Sequence, residues 1–277
     1  MGSEIADAAS RIDWVQMSKA LRQQLCAVLG DPGAADGQRP EAATLLLPDG
    51  DGPHPAVLYC HAHGGDYTLG RRELAEGARW LSAPYGPDLV RAGFAVLCAD
   101  MPGFGDRQSE GSESALSKAG AWFGRPLFGQ MVHAQLNALR WLRRDRRIDA
   151  ARIAVVGTSM GAALAMWVAA LDREVRACVQ LCMLANIGPL IETGAHDRHG
   201  TYLTVPGLLR VAEVGQVAAL IAPRAQFVGL SAHDAFTPPA ARDPALATLR
   251  TAYAGAEDRL CVHVSPDSGH EETPLMR

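Results

Sequence analysis

Residues 152–164, RIAVVGTSMGAAL, limit the possible folds more than any other part of the chain. The apolar run Ile153 to Val156 has the length and β-branching of a buried strand, and Ala162 to Leu171 has the alanine content of a helix. Gly157-Thr158-Ser159-Met160-Gly161 joins them. A turn that sharp strains its central residue and brings helix and strand too close for side chains at the flanking positions. Gly157 and Gly161 supply none. Strand, Gly-x-Ser-x-Gly and helix in that order form the context in which a serine hydroxyl is held clear of a sheet as a nucleophile. The backbone N–H of Met160, at the helix N-terminus, then points to where negative charge would develop on a substrate oxygen.

Around this unit the chain alternates apolar runs with helical stretches. Strands are predicted at Ala43 to Leu47, Ala56 to Cys60, Phe94 to Ala99, Val175 to Leu184, Ala225 to Leu230 and Leu260 to Val264. Helices are predicted from about Gln130 to Arg147 and from about Ala240 to Tyr253. Continuous apolar runs suit strands buried on both faces, and the alternation after residue 150 implies βαβ units. The fold class is therefore α/β, with a mostly parallel sheet and helices on both faces. At the N-terminus Asp13 reads as a cap. Trp14, Leu21, Leu25 and Val28 recur at helical spacing up to Gly30-Asp31-Pro32-Gly33, so a peripheral amphipathic helix follows a loose stretch, residues 1–11. The chain divides into a helical extension, 1–39, and one domain, 40–277. Within the domain, 185–224 is too long for a plain connector and reads as an irregular insertion near the site. Residues 108–120, small and polar, read as an exposed loop.

Composition removes several classes of function. A net charge of −4 gives no electrostatic case for nucleic acid or an anionic membrane. The cluster Arg140, Arg143, Arg144, Arg146 and Arg147 falls at a helix C-terminus, where cations suit the dipole, and reads as a solvated face. Six cysteines are scattered, four of them in apolar strand-like runs, as reduced core cysteines are; no disulfide scaffold or zinc site is expected. No apolar run approaches the roughly 18 residues of a membrane span. With no signal-like N-terminus, the expectation is a soluble, cytoplasmic protein.

A serine hydroxyl is a poor nucleophile at neutral pH. It needs a base within hydrogen-bond reach and an acid that fixes the base's tautomer. Asp234 follows the strand ending near Leu230, and His270 follows the last strand. In a parallel sheet both converge on the edge that carries Ser159, and Ser, Asp, His is the order such sites use. Glu192 is the alternative acid. The loop His61-Ala62-His63-Gly64-Gly65-Asp66-Tyr67 follows an early strand and can bring a second oxyanion donor, the N–H of His63 or Gly64. Tyr67, Phe104, Trp122, Phe123 and Phe236 are candidates for lining a pocket. Asp100, at a strand end, reads as a turn-former whose carboxylate pins backbone N–H groups. His196-Asp197-Arg198-His199 reads as a surface loop, and no metal or other cofactor is expected.

These segments resemble the α/β-hydrolase superfamily, and within it the serine esterases of the dienelactone-hydrolase and acetyl-xylan-esterase type, from about residue 40 onward. Besides the elbow, Asp100-Met101-Pro102-Gly103-Phe104-Gly105 matches the loop after the fourth strand. Val205-Pro206-Gly207-Leu208-Leu209 with Ala219-Leu220-Ile221-Ala222-Pro223-Arg224 resembles the approach to the acid strand, and Gly269-His270-Glu271-Glu272-Thr273-Pro274 resembles the histidine loop. The resemblance implies Ser159 as nucleophile, Asp234 as acid and His270 as base. The implied reaction is hydrolysis of a small or medium carboxylic ester through an acyl-enzyme. Acyl transfer, amide or peptide cleavage by the same triad, and a non-catalytic binding protein on this scaffold, are the alternatives. Two departures stand out. Dienelactone hydrolases carry Cys at the elbow, so Ser159 points to ordinary ester hydrolysis. The family also has a helix after the histidine loop, whereas seven residues follow His270 here. The apolar surface so uncovered is expected to be closed by the N-terminal helix or by a second subunit of a homo-oligomer.

Overall fold

Strands that are apolar on both faces need a covering layer on each, and the chain supplies helices between them. In order the elements are α1 (Gly2–Leu29), β1 (Ala43–Leu46), β2 (His54–Cys60), α2 (Glu73–Glu76), α3 (Tyr85–Arg91), β3 (Ala95–Ala99), α4 (Glu113–Trp122), α5 (Leu127–Arg144), β4 (Ile148–Thr158), α6 (Met160–Leu171), β5 (Ala177–Leu181), α7 (Ile187–Glu192), α8 (Val214–Ala219), β6 (Ala225–Ser231), α9 (Pro239–Ala252) and β7 (Leu260–Ser265). This computed structural model describes residues 2–31 and 37–277, with the side chains of α1 described from Gln16 onward. The side chains of Asp13 and Trp14, and the stop at Pro32-Gly33, lie outside the described residues.

The seven strands form one sheet in the order β1-β3-β2-β4-β5-β6-β7, with β1 antiparallel to β3 and every other pair parallel. Side chains alternate across it. Ala56, Leu58 and Cys60 of β2 face the layer built by α5, α6, α8 and α9, whereas Val57 and Tyr59 face the layer of α2 and α3. The first layer is the deeper one. Every residue of α6 from Met160 to Ala170 is buried, so the helix that leaves the elbow is an inner element of the molecule. The β4 register sets Gly157 between Cys60 of β2 and Gln180 of β5, in the middle of the sheet.

Three expectations change. Residues 113–122 are a helix: Ser112 caps it by accepting the Ala115 N–H at 3.3 Å, and its small residues pack closely on the next turn of chain. The N-terminal helix starts at Gly2, since no breaker interrupts the sequence before Leu29. It also lies on the α5 and α6 side, with Leu25 and Leu29 in that core. Its described side chains, from Gln16 onward, therefore do not close the opposite sheet face, where Ala154, Val179 and Phe227 are partly buried beside Met276. Among the described residues no helix is long and apolar enough to cross a membrane.

Candidate active site

The glycines of the elbow are required by contact. A Cβ on Gly157 would lie 2.2 Å from the Gly161 backbone, and one on Gly161 would lie 1.9 Å from the Cys60 carbonyl oxygen. With that space cleared, Ser159 adopts φ 56° and ψ −118°, a conformation rare outside glycine. Its N–H donates to Leu181 O on β5 at 2.8 Å and its carbonyl accepts from Ala163 N–H at 3.1 Å, so the strained residue is tied on both sides.

The strand ends bring three side chains together. His270 Nε2 is 2.7 Å from Ser159 Oγ, and His270 Nδ1 is 2.8 Å from Asp234 Oδ2. Asp234 is buried. It accepts further from Phe236 N–H at 2.8 Å and from Thr237 Oγ1–H at 3.0 Å. Burial raises its carboxyl, but the His270 hydrogen bond and charge, with the Phe236 and Thr237 bonds, outweigh that and hold it below the ordinary carboxylate value. An ionised carboxylate only accepts, so Nδ1 carries the imidazole proton and Nε2 is left to accept from the Ser159 hydroxyl. Phe236 packs against the imidazole with ring centroids 4.4 Å apart. Glu192, the alternative acid, is exposed on α7 and makes none of these contacts.

Met160 is the first residue of α6, so its N–H is one of the helix's orphan donors. Across from it, the loop after β2 is held by side chains. Ala62 N–H is taken by Glu73, whereas the N–H groups of His63 and Gly64 meet no acceptor among the described residues. The His63 ring accepts from Gly65 N–H at Nδ1, 3.0 Å away, so Nε2 carries the proton and donates to Glu113 Oε2 at 2.7 Å. Glu113 also accepts from Tyr67 Oη, Thr201 Oγ1 and Tyr202 N–H at 2.9, 2.9 and 3.0 Å. Burial works against ionisation there, but the bonds from His63, Tyr202, Tyr67 and Thr201 bring the carboxyl down to about 2.

A cavity of about 620 Å³ opens over Ser159 and His270, walled by Trp80, Tyr202, His199 and Phe236 with Tyr67 and His63 beside them. Of the five pocket candidates Tyr67 and Phe236 reach it. Phe104 is buried behind it, packed on His61, His63 and Tyr67. Trp122 and Phe123 are 89 % and 80 % exposed at the end of α4, which turns them to solvent and away from the cavity. Of the two histidines read as a surface loop, His196 is exposed, whereas His199 is half-buried: its Nε2 pairs with Phe236 O at 3.0 Å, and burial lowers its pKa. Asp100 is the pin of a turn, accepting from the N–H groups of Arg71 and Asp106 and from the Arg71 guanidinium. The sequence reading gives no role to Glu73, Glu113 and Tyr202. The one available signal was Ser112-Glu113 ahead of a small apolar run, which reads as a helix start.

An elbow serine at the centre of a mostly parallel sheet, with an aspartate past the end of β6 and a histidine past the end of β7 hydrogen-bonded to it in line, defines a class. Residues 55–208 match the family described as the alpha/beta hydrolase fold, and the chain belongs to it. Among curated relatives it is similar to "Putative hydrolase YtaP" of Bacillus subtilis (strain 168), with 38 % identity over 229 residues, covering 82 % of this chain and 76 % of that protein. Among solved structures it shares its fold with a "putative acetyl xylan esterase" of Bacteroides fragilis NCTC 9343. The TM-score is 0.68 at 19 % identity, over 89 % of this chain and 74 % of that one. Acetyl Xylan Esterase 1 from Thermoanaerobacterium sp. JW/SL YS485 matches with TM-score 0.56 at 19 % identity, over 84 % of this chain and 74 % of that one.

Proposed function

We propose that this protein is a serine hydrolase that cleaves a carboxylic ester of a small or medium acyl group. The observation that carries the reading is the pair of hydrogen bonds at 2.7 and 2.8 Å that link Ser159, His270 and Asp234 in line at the elbow. Ser159 Oγ attacks the acyl carbonyl while His270 Nε2 takes its proton. Asp234 keeps the Nδ1 proton in place and stabilises the imidazolium as it forms. The N–H of Met160, with that of His63 or Gly64, receives the oxyanion. His270 then passes the proton to the leaving alkoxide and draws a water that releases the acyl group, restoring the serine. A cavity of about 620 Å³ with aromatic walls suits a compact acyl or alcohol portion. The names of the fold's solved relatives, acetyl xylan esterases, favour an ester over an amide.

The test is direct. Ser159→Ala is expected to lower kcat on p-nitrophenyl acetate by several orders of magnitude with the protein folded, about 10⁴-fold or more. A fluorophosphonate probe should form its adduct on Ser159 of the parent. A parental rate in the alanine variant rules out the mechanism, and absence of the adduct favours a binding protein on this scaffold.

A further inference from the structure

Glu73 is fully buried, and no step of the proposed reaction uses it. The single turn α2 carries its carboxylate into the apolar layer of Tyr59, Leu74, Tyr85 and Cys98. Three donors converge there. Tyr59 Oη donates to Oε1 at 2.7 Å, Ala62 N–H lies 3.1 and 3.2 Å from the two oxygens, and Trp80 Nε1–H donates to Oε2 at 3.1 Å. No cation pairs with it among the described residues. Burying an acid without one is costly, and an apolar side chain would fill the same space at lower cost.

What the acid holds connects two loops. The bond to Ala62 N–H fixes the course of the loop one residue before His63. It also removes that donor, so that the N–H groups of His63 and Gly64 remain. Trp80 fills the room a side chain at 64 would need: a Cβ built on Gly64 would lie 1.8 Å from its ring. The same tryptophan accepts Glu272 N–H at its carbonyl, 3.0 Å away, two residues beyond His270. Glu272 in turn accepts from Ser82 N–H and Oγ–H at 2.8 Å and from Tyr85 Oη. One residue therefore touches the loop after β2 with its ring and the histidine loop with its backbone, and Glu73 holds it by the indole N–H.

We infer that Glu73 is a positioning residue for the proposed ester hydrolysis: through Ala62 and Trp80 it keeps the oxyanion donors and the His270 loop in register around Ser159. This rests on the reading of Ser159 as the nucleophile. Burial raises the Glu73 carboxyl to about 7 against the bonds from Tyr59, Ala62 and Trp80. The titratable groups facing it, Tyr59 from β2 and Cys98 from β3, are both pushed well above their ordinary values by burial. Assays at about pH 8 therefore test the carboxylate.

Glu73→Gln keeps the volume but turns one acceptor oxygen into an NH₂ that opposes the Ala62 or Trp80 donor. With p-nitrophenyl acetate at about pH 8 we expect kcat to fall on the order of 10- to 100-fold, as a misplacement of about 1 Å costs. KM should stay within about twofold, because the donors act on the transition state. Trp80→Phe keeps a ring against Gly64 and removes only the indole donor. It should show the same split with a drop of roughly tenfold or less, and it decides the matter if Glu73→Gln does not fold. Parental kcat in the folded variants, beside an inactive Ser159→Ala, overturns the positioning role alone. A Ser159→Ala protein as active as the parent overturns the esterase reading and this inference with it.

Discussion

Ser159 and Cys182 are the two non-glycine residues with a left-handed φ among those described, at 56° and 59°, and they directly follow the neighbouring parallel strands β4 and β5. Each keeps its ladder bond while its side chain leaves the strand: Ser159 N–H donates to Leu181 O, and Cys182 N–H to Gly229 O, both at 2.8 Å. Cys182 Sγ–H then reaches Glu271 O at 3.2 Å, next to His270. Strain of about 1–3 kcal/mol per residue persists only where the surroundings enforce it, and the close packing of Gly161 on Cys60 is part of that enforcement. Gly161→Ala should therefore lose about 3 kcal/mol or more, because the clash is with backbone and no rotamer relieves it. That corresponds to a Tm lower by roughly 6 °C or more. A thermal melt within about 1 °C of the parent would mean the elbow has slack. At this scale the serine, the aspartate and the histidine were legible because each stands just past a strand that its own apolar run announces. Glu73 was not. It sits in the polar-looking run Arg71-Arg72-Glu73-Leu74, and its partners Tyr59, Ala62 and Trp80 come from other turns of chain.

The least legible elements are the short ones that roof the cavity. Strand positions followed from apolar runs buried on both faces, but α4 lies in a small, polar stretch that composition assigns to a loop. What makes it an ordered wall is Glu113, whose carboxylate joins the loop after β2 at His63 and Tyr67 to the insertion at Thr201 and Tyr202. No sequence pattern marks contacts that span so much of the chain. Glu113 carries a pH signature. Its folded value is about 2 and its unfolded value near 4.3, so its stabilisation is fully present above about pH 4.3 and is lost as pH falls toward about 2. The size is on the order of 3 kcal/mol. Glu113→Gln should thus melt several degrees below the parent at neutral pH, with the gap narrowing toward about pH 3. Glu73 has the opposite sign: raised to about 7, it costs the folded state progressively as pH climbs from about 4.3 to about 7. The gap for Glu73→Gln should therefore shrink as pH rises from about 4.3 to about 7. Melts of both variants across pH that run parallel to the parent would contradict both assignments.

For the whole molecule, the question is what α1 adds to the sheet and its two layers. Its periodicity predicts a peripheral amphipathic helix, and Leu25 and Leu29 enter the core shared with α5 and α6. The polar contacts go further than periodicity could indicate. Arg22 Nε–H donates to Ala170 O and its Nη2 to Leu220 O, both at 2.7 Å, so one guanidinium closes the C-terminal ends of α6 and α8. Orphan carbonyls at two helix ends, each the negative pole of a dipole, are suited to a cation, and burial is the main cause of the lowered Arg22 pKa. Arg224 answers from the other side, donating to Ala169 O at 2.6 Å and Val175 O at 2.8 Å. The elbow helix α6 is thus fixed at both ends, by the Ser159 turn and by two arginines from distant parts of the chain. Arg22→Ala takes the Nε–H donor from Ala170 O and leaves Leu220 O with only the longer 3.4 Å contact from Arg224 Nη2, and should cost about 1–3 kcal/mol, a Tm fall of roughly 2–10 °C. Because α6 begins just after Ser159, the proposed nucleophile, the loosening should also speed amide hydrogen exchange along Ala162 to Leu171 while kcat on a small ester changes little. Unchanged exchange and an unchanged Tm would show that α1 is appended to the domain without bracing it.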